Sequence, residues 1–212
     1  MKRAILVGLT MSSMVTAAFA EQAGKPKGAT YITDAEIKAV AATPASDRTI
    51  KVVDIGPENL AVGVVHRDAL KAAARATGSS AAAAAPAGDR CGEQMSGPPS
   101  GPSGTTHDQQ TEGYYILSGS GTLATGGHIV NGRRSAADSD TTKILNGPSC
   151  SGTIAGTDMV TRLVKPGDVV IVPAGVPHGW IEIPEHLDYL SFRPSARVLE
   201  AGYTHPAIRS TK

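Results

Sequence analysis

Short runs of strand-forming residues, separated by turn residues, recur along most of this chain. Clear examples are residues 49–55, 112–117 and 169–172. Twenty-four glycines and fourteen prolines in 212 residues supply turns between such runs. Because short strands bury their apolar faces only by folding against one another, this pattern favours an all-β sandwich or barrel over a helical bundle.

The first predicted element is a short helix over residues 33–42. Thr33 and Glu36 have the spacing of a capping box, and Pro44 stops the helix. Strands are predicted at 49–55, 60–67, 112–117, 122–125, 159–164, 169–172, 178–183 and 187–192. The first two are expected to form a hairpin, and the four apolar residues at 169–172 to form a buried strand.

One barrel domain is predicted over residues 49–194, because 212 residues are too few for two full domains. An N-terminal arm (21–48), which carries the short helix, precedes it, and a weakly patterned tail (195–212) follows. Residues 77–104 and 126–158 are rich in Gly, Ser and other small or polar residues. Both stretches are therefore expected to be flexible insertions, the second with room for a hairpin.

Residues 1–20 have the pattern of a signal peptide. A short basic start precedes an apolar stretch, and Ala18 and Ala20 fit the small-residue cleavage rule, with Glu21 as the new N-terminus. A membrane anchor is the less favoured alternative, because the apolar run falls short of the ~20 residues that span a bilayer. No later segment is apolar enough to span one. We therefore expect an exported protein, periplasmic or secreted.

The two cysteines, Cys91 and Cys150, are predicted to form one disulfide. Export places the chain in an oxidising compartment, where a pair of cysteines is more often bonded than free. Neither belongs to a C-x-x-C pair, which argues against thiol redox chemistry and a cysteine-rich zinc site. The bond would join the two insertions.

The charge balance and the missing motifs exclude several classes of protein. Twenty Lys and Arg residues face nineteen Asp and Glu residues, so there is no basic excess for binding nucleic acid. The sequence also lacks a G-x-S-x-G elbow, a P-loop and an H-E-x-x-H motif.

Two segments, 106–123 and 165–183, carry a spaced set of histidines, carboxylates and turn residues. The second contains Gly167, then five residues, Pro173, one residue, Gly175, two residues and His178. The first contains His107, then four residues, Glu112, six residues and Gly119. These spacings resemble the two motifs of the cupin superfamily, the second closely and the first in its second half.

The resemblance implies a double-stranded β-helix, or jelly-roll barrel, in which His107, Glu112 and His178 hold one divalent transition-metal ion. Imidazole and carboxylate together suit Fe, Mn, Ni, Cu or Zn. The family's first histidine falls at Thr105, a poor ligand, so Gln109 or water is expected to fill that position. Loss of the metal, as in some cupins, stays open as an alternative.

His107 and Glu112 are separated by an odd number of positions, so an unbroken strand would point them to opposite faces. If both bind one ion, the chain must turn or bulge at residues 108–111. Strand alternation places Trp180 and Glu182 on the face of His178. The predicted substrate contacts are His66, Gln109, Tyr114, Trp180 and Glu182. Alternatives stay open: Tyr114 and Trp180 fill the core, and His66 and Glu182 are exposed.

Three functions fit this reading. The first is a metal-dependent enzyme of the dioxygenase, isomerase or lyase type that acts on a small molecule. The second is a non-catalytic module that binds a sugar, a small acid or a metal ion. The third, weaker, is a structural envelope protein with a degenerate site. The family resemblance also implies a homodimer.

Overall fold

The computed structural model describes residues 25–71, 89–97 and 99–209. The predicted signal peptide and most of the first half of the 77–104 insertion lie outside these residues. The helices are α1 (Asp34–Ala41) and α2 (Pro206–Arg209), with one π-helical turn at Thr141–Leu145. The strands are β1 (Asp47–Asp54), β2 (Asn59–Leu70), β3 (Arg90–Cys91), β4 (Ser103–His107), β5 (Glu112–Gly119), β6 (Gly121–Thr125), β7 (His128–Arg134), β8 (Ser149–Ala155), β9 (Val160–Val164), β10 (Val169–Val172) and β11 (His178–Ser195).

These strands form two antiparallel sheets that share β11. Sheet A has the order β1-β2-β11-β5-β10. Sheet B has the order β9-β6-β11-β4-β8-β7-β3. The first residues of β11 pair in sheet B, and the residues from Ile183 onward pair in sheet A. The predicted all-β double-stranded β-helix is therefore confirmed.

The main core lies between the two sheets. Val65, Tyr114 and Tyr189 from sheet A pack with Leu123 and Trp180 from sheet B. Burial of each large apolar side chain contributes about 1.5–3 kcal/mol relative to exposure. Sheet pairing and this core hold the strand ends in fixed positions, and the candidate site is built on those ends.

The short helix of the N-terminal arm is confirmed. Thr33 caps α1, and the side chain of Glu36 returns a bond to the Thr33 backbone, so both halves of the capping box are present. On the outer face of sheet A, Val40 of α1 packs with Val64 of β2 and with Ile208 of α2. The weakly patterned tail therefore contributes to a second apolar cluster.

A strand forms at 169–172 as predicted, but the prediction that this strand is buried is wrong. Val169 is 66% exposed and Ile171 is 70% exposed, whereas Val172 is buried. The cause is position: among the described strands β10 pairs with β5 alone, so it is the edge strand of sheet A, and no described element covers its outer face. The predicted strands 178–183 and 187–192 form one strand, β11.

The second predicted insertion, 126–158, is more regular than its composition suggested. It contains the β7–β8 hairpin, whose strands are joined through the π-helical turn. Ile129 and Ile154 supply buried apolar positions. Small residues are required between the strands, since a Cβ at Gly152 would lie 2.7 Å from the carbonyl oxygen of Val130.

The predicted disulfide is confirmed. Cys91 of β3 is bonded to Cys150 of β8, with their Cα atoms 6.0 Å apart. The bond joins the first predicted insertion, near its middle, to the hairpin of the second. Among the residues that the structure describes, no helix has the length and apolar character needed to cross a membrane.

Candidate metal centre

Three side chains converge inside the barrel, one from each of three strand ends. His107 ends β4, Glu112 begins β5 and His178 begins β11. Their candidate ligand atoms all lie within 4.8 Å of one another, and all three residues are buried. His107 Nε2 is 3.5 Å from Glu112 Oε1, and His178 Nε2 is 3.3 Å from Glu112 Oε2.

The chain path explains how side chains at an odd spacing meet. Residues 108–111 leave sheet B after His107 and enter sheet A before Glu112, so the two lie on different strands. This is the interruption that the spacing required. The turn before His178 is held in place by the backbone N–H of Gly175, which donates to the carbonyl oxygen of His107 at 2.7 Å.

Hydrogen bonds on the far side of each imidazole decide which nitrogen faces the carboxylate. His178 Nδ1 lies 3.0 Å from the carbonyl oxygen of Val176. A carbonyl only accepts, so Nδ1 carries the proton, and in this neutral tautomer Nε2 directs a lone pair at Glu112.

His107 has the same arrangement. Its Nδ1 lies 2.8 Å from Ser149 Oγ, and that hydroxyl lies 2.9 Å from the carbonyl oxygen of Gly147. Since Ser149 uses its only proton on a carbonyl, it accepts the proton of His107 Nδ1. Burial lowers the pKa of His107 to about 4, so the ring is neutral at pH 7 and its Nε2 also presents a lone pair.

Glu112 is ionised in this setting. Burial raises the pKa of its carboxyl group, but the charge of the Arg193 guanidinium, the largest opposing cause, holds the pKa below its ordinary value. Arg193 Nε donates to Oε1 at 3.0 Å. The Tyr114 hydroxyl donates to Oε2.

This donor set fits a metal ion. Two imidazole lone pairs point at an ionised carboxylate, and the protons of both rings lie on their far nitrogens. Lone pairs so arranged repel one another unless a cation lies among them. Two nitrogens and one carboxylate suit a divalent transition metal and leave coordination positions for water or substrate.

Thr105 lies beside this cluster, where the cupin motif has its first histidine. It pairs with His178 across the strands, and its hydroxyl donates to the carbonyl oxygen of Cys150 at 3.3 Å. It also accepts from Ser151 Oγ at 3.1 Å. Because its hydroxyl is occupied by neighbours in sheet B, Thr105 shapes the site without supplying a strong ligand.

The cluster opens into a cavity of about 840 Å³. This volume lies within the range of small-molecule sites in proteins, about 300–1,000 Å³. One wall is aromatic and apolar, with Tyr114, Trp180 and Tyr189. Another wall carries hydroxyl and amide side chains: Ser103, Thr105, Asn131, Asn146, Ser151 and Thr153.

The predicted substrate contacts separate into two groups. Tyr114 and Trp180 line the cavity, whereas His66, Gln109 and Glu182 do not. Glu182 is exposed because a bulge between Trp180 and Glu182 reverses the alternation of β11, so that Ile183 takes the buried position.

The other two residues lie away from the cavity for separate reasons. His66 is exposed near the end of β2, where its Nδ1 lies 2.6 Å from Asp188 Oδ1. Gln109 is exposed in the segment that crosses between sheets, and its neighbour Gln110 is the buried residue of that segment. Gln109 therefore does not fill the position beside Thr105.

Sequence reasoning missed Arg193 and Asp47. Arg193 is almost fully buried, and its Nη2 donates to both carboxylate oxygens of Asp47 at 2.8 Å. A signal was present, since Tyr189 and Arg193 occupy inward positions of the same strand. Asp47 comes from β1, and no spacing in the sequence indicates that it lies near Arg193.

No protein-family model matches the chain, and no curated protein sequence matches it. Solved structures do resemble it at low identity. A double-stranded β-helix domain protein from Klebsiella pneumoniae is 14% identical, with 81% of this chain and 94% of that chain covered and a TM-score of 0.35. A cupin protein from Bacteroides fragilis is 15% identical, with 76% and 87% covered and a TM-score of 0.29. An oxalate oxidase is 14% identical, with 93% and 71% covered and a TM-score of 0.32.

Proposed function

We propose that this chain, which has the cupin fold, binds one divalent transition-metal ion and acts with it on a small molecule outside the cytoplasm. The ligands are His107, Glu112 and His178. One observation carries the proposal: two imidazole lone pairs and an ionised carboxylate meet at one buried point beside a cavity. Fe, Mn, Ni, Cu and Zn all suit such a mixed nitrogen and oxygen site.

A bound ion would supply Lewis acidity, or would activate O₂ or water, which covers dioxygenase, isomerase and lyase chemistry. The chain's own residues prepare the site. Arg193 fixes the orientation and the charge of Glu112. Tyr114 holds a proton at Glu112 Oε2. Trp180 and Tyr189 form an apolar wall that limits the access of water.

A non-catalytic binding module is the second candidate. The observation that favours it is Thr105, whose hydroxyl is bonded within sheet B where the cupin motif has a histidine. The site therefore departs from the cupin motif at one ligand position. In this case the same cavity captures a sugar, a small acid or a metal ion without turnover.

Metal content of the purified chain tests the proposal. Elemental analysis is expected to find about one transition-metal ion per chain, and His107→Ala and His178→Ala are expected to lose it. His128→Ala is the matched control, since His128 is half exposed and pairs with Glu93. Metal retained by both buried-site variants would overturn the proposal. Tight ligand binding by the loaded protein without turnover would favour the binding module.

Export is part of the proposal. The Cys91–Cys150 bond supports it, because structural disulfides persist in oxidising compartments. Mass spectrometry of the chain from the periplasm or medium is expected to find Glu21 as the first residue and the two cysteine peptides linked. A cytoplasmic chain with two alkylatable thiols would contradict it.

A homodimer is also proposed, with the uncovered half of the outer face of sheet A as its interface. Helices α1 and α2 cover the β1 and β2 side of this face. The other side exposes five large apolar residues from three neighbouring strands: Tyr115, Leu117, Val169, Ile171 and Phe192. Contiguous exposed apolar surface of this kind marks interaction sites. Sedimentation is expected to show a dimer that Ile171→Glu dissociates; a monomeric wild type would contradict this.

A further inference from the structure

Arg67 places a positive charge in the wall of the cavity. It is the one Lys or Arg among the described residues that line the cavity. Its side chain is 36% exposed, so the guanidinium group is held in the wall and remains accessible. Its Nε is buried and makes no hydrogen bond. An arginine held in this way has donor capacity that the protein does not use.

Arg67 lies near the carboxylate of Asp47 but is not hydrogen-bonded to it. Asp47 gives both of its oxygens to Arg193 Nη2 at 2.8 Å. The distance from Arg67 Nη2 to Asp47 Oδ2 is 4.0 Å, beyond hydrogen-bond length. Arg193 also binds Glu112, so the hydrogen bonds of both the buried Glu112 and the partly buried Asp47 go to Arg193. Arg193 and Arg67 together balance the charges of Glu112 and Asp47, and Arg67 does so without a hydrogen bond to either carboxylate, so its partly exposed guanidinium group is open to an anionic group.

Arg67 and the His–Glu cluster lie along one aromatic wall. Tyr189 and Tyr114 pack with ring centroids 4.7 Å apart, and the Tyr114 hydroxyl binds Glu112. Arg67 and Tyr189 line the same cavity as Glu112. A small molecule on this wall would therefore have a cationic group and the candidate metal position within the same cavity.

We propose that the substrate or ligand of this site is a small organic carboxylate, and that Arg67 binds its carboxylate group. This inference rests on the proposed function, since it names the class of molecule that the metal site serves. The guanidinium group matches a carboxylate in shape and charge and binds it through two parallel N–H bonds. The hydroxyl and amide wall formed by β4, β7 and β8 suits a molecule that also carries hydroxyl groups.

The single tryptophan of the chain is a built-in reporter, because Trp180 lines the cavity. The experiment titrates tartrate and gluconate, with threitol and sorbitol as their neutral counterparts, and follows Trp180 fluorescence. Each titration uses the full disulfide-bonded chain, first metal-free and then loaded with Zn²⁺. The variants are Arg67→Gln, Arg67→Lys and, as a matched control, Arg162→Gln on the exposed strand β9.

Wild type is expected to bind each carboxylate more tightly than its neutral counterpart. Arg67→Gln should weaken carboxylate binding about tenfold or more, as expected for lost hydrogen bonds to a charged group. Arg67→Lys should fall between the two, and Arg162→Gln should match wild type. Zinc binding by Arg67→Gln should be unchanged, which separates the role of Arg67 from that of the metal ligands.

Equal carboxylate affinity for wild type and Arg67→Gln would overturn the inference, as would a wild type that does not prefer carboxylates. A wild type that fails to bind zinc would count against the proposed metal site instead. The metal-free titrations would still decide the role of Arg67 in that case, because its charge does not depend on the ion.

Discussion

Among the described residues, one buried and one surface cluster combine two histidines with a carboxylate, and the buried one has the geometry that we propose for a metal site. The buried cluster contains His107, Glu112 and His178. The surface cluster, at one end of sheet A, contains His66 and Asp188 with Ser118 and His186. Both contain residue types that bind metals, so residue type alone does not distinguish them.

The difference lies in where the protons are. In the surface cluster Asp188 is already satisfied, because one oxygen contacts His66 Nδ1 and the other accepts from Ser118 Oγ, both at 2.6 Å. In the buried cluster, Ser149 and the Val176 carbonyl oxygen hold the imidazole protons on the far side. The lone pairs of the buried rings therefore face the carboxylate.

The largest effect is expected from Arg193→Met. This change removes the guanidinium group that Glu112 and Asp47 share and leaves the buried Glu112 without its cation, which typically costs about 3–5 kcal/mol of stability. Urea unfolding of the metal-free protein measures it. The matching change in the surface cluster, Asp188→Asn, should cost less than about 1 kcal/mol, since exposed pairs contribute little. Equal costs for the two variants would contradict the distinction between the clusters.

The second-largest effect is expected from acid, which should lower the stability of the metal-free protein through the buried cluster. Burial lowers the pKa of His107 in the folded protein from 6.5 to about 4. Between pH 6.5 and pH 4, His107 is therefore protonated in the unfolded chain and neutral in the folded one. Stability of the metal-free protein should therefore fall as pH drops from about 6.5 to 4, by about 3 kcal/mol at ~1.4 kcal/mol per pKa unit. His107→Gln should remove this dependence.

The surface cluster should respond to pH with the opposite sign. The hydrogen bond to Asp188 raises the pKa of His66. The contribution of this pair to the free energy of unfolding is therefore present below about pH 6.5, and it is lost as the pH rises through the folded pKa of His66. Unfolding of His66→Ala across the same pH range isolates this smaller contribution. A wild-type profile that rises towards pH 4 would show that the surface pair outweighs His107.

Glu112→Gln should weaken metal binding about tenfold or more, because an amide is a poorer ligand than a carboxylate. Competition with a chromophoric chelator measures the affinity. Full retention of affinity would show that Glu112 neither binds the ion nor positions its ligands, since changes to positioning residues also typically cost about 10–100-fold.

The smallest effect is expected from His66→Ala. The side chain is 47% exposed, so its loss should leave metal affinity unchanged and should alter stability by less than about 1 kcal/mol. The same chelator competition and urea unfolding measure both quantities. A loss of metal by this variant would show that the surface cluster binds the ion.

The sequence contained much of the fold and the three candidate ligands. Turn residues and strand runs predicted the barrel, and the motif spacing singled out His107 and His178. The sequence did not predict which strands that are distant in the chain would contact one another. The bulge after Trp180 turns Glu182 outward, and the edge position of β10 exposes Ile171. Both depend on which strands become neighbours.

The charged residues around the site show the same limit. Arg193 contacts Glu112 and Asp47, which lie 81 and 146 residues away in the chain. A lone arginine near the end of a strand carries no motif that reveals such partners. Arg67, from β2, was also unmarked, although it lies next to His66, which was predicted to contact substrate.

Anomalous X-ray scattering from crystals of the natively purified protein tests the central claim most directly. We expect one strong peak, about 2.0–2.2 Å from His107 Nε2, His178 Nε2 and an oxygen of Glu112. A peak beside His66 and Asp188, or a metal-containing protein with no peak between the two buried imidazoles, would contradict the assignment of the buried cluster as the metal centre.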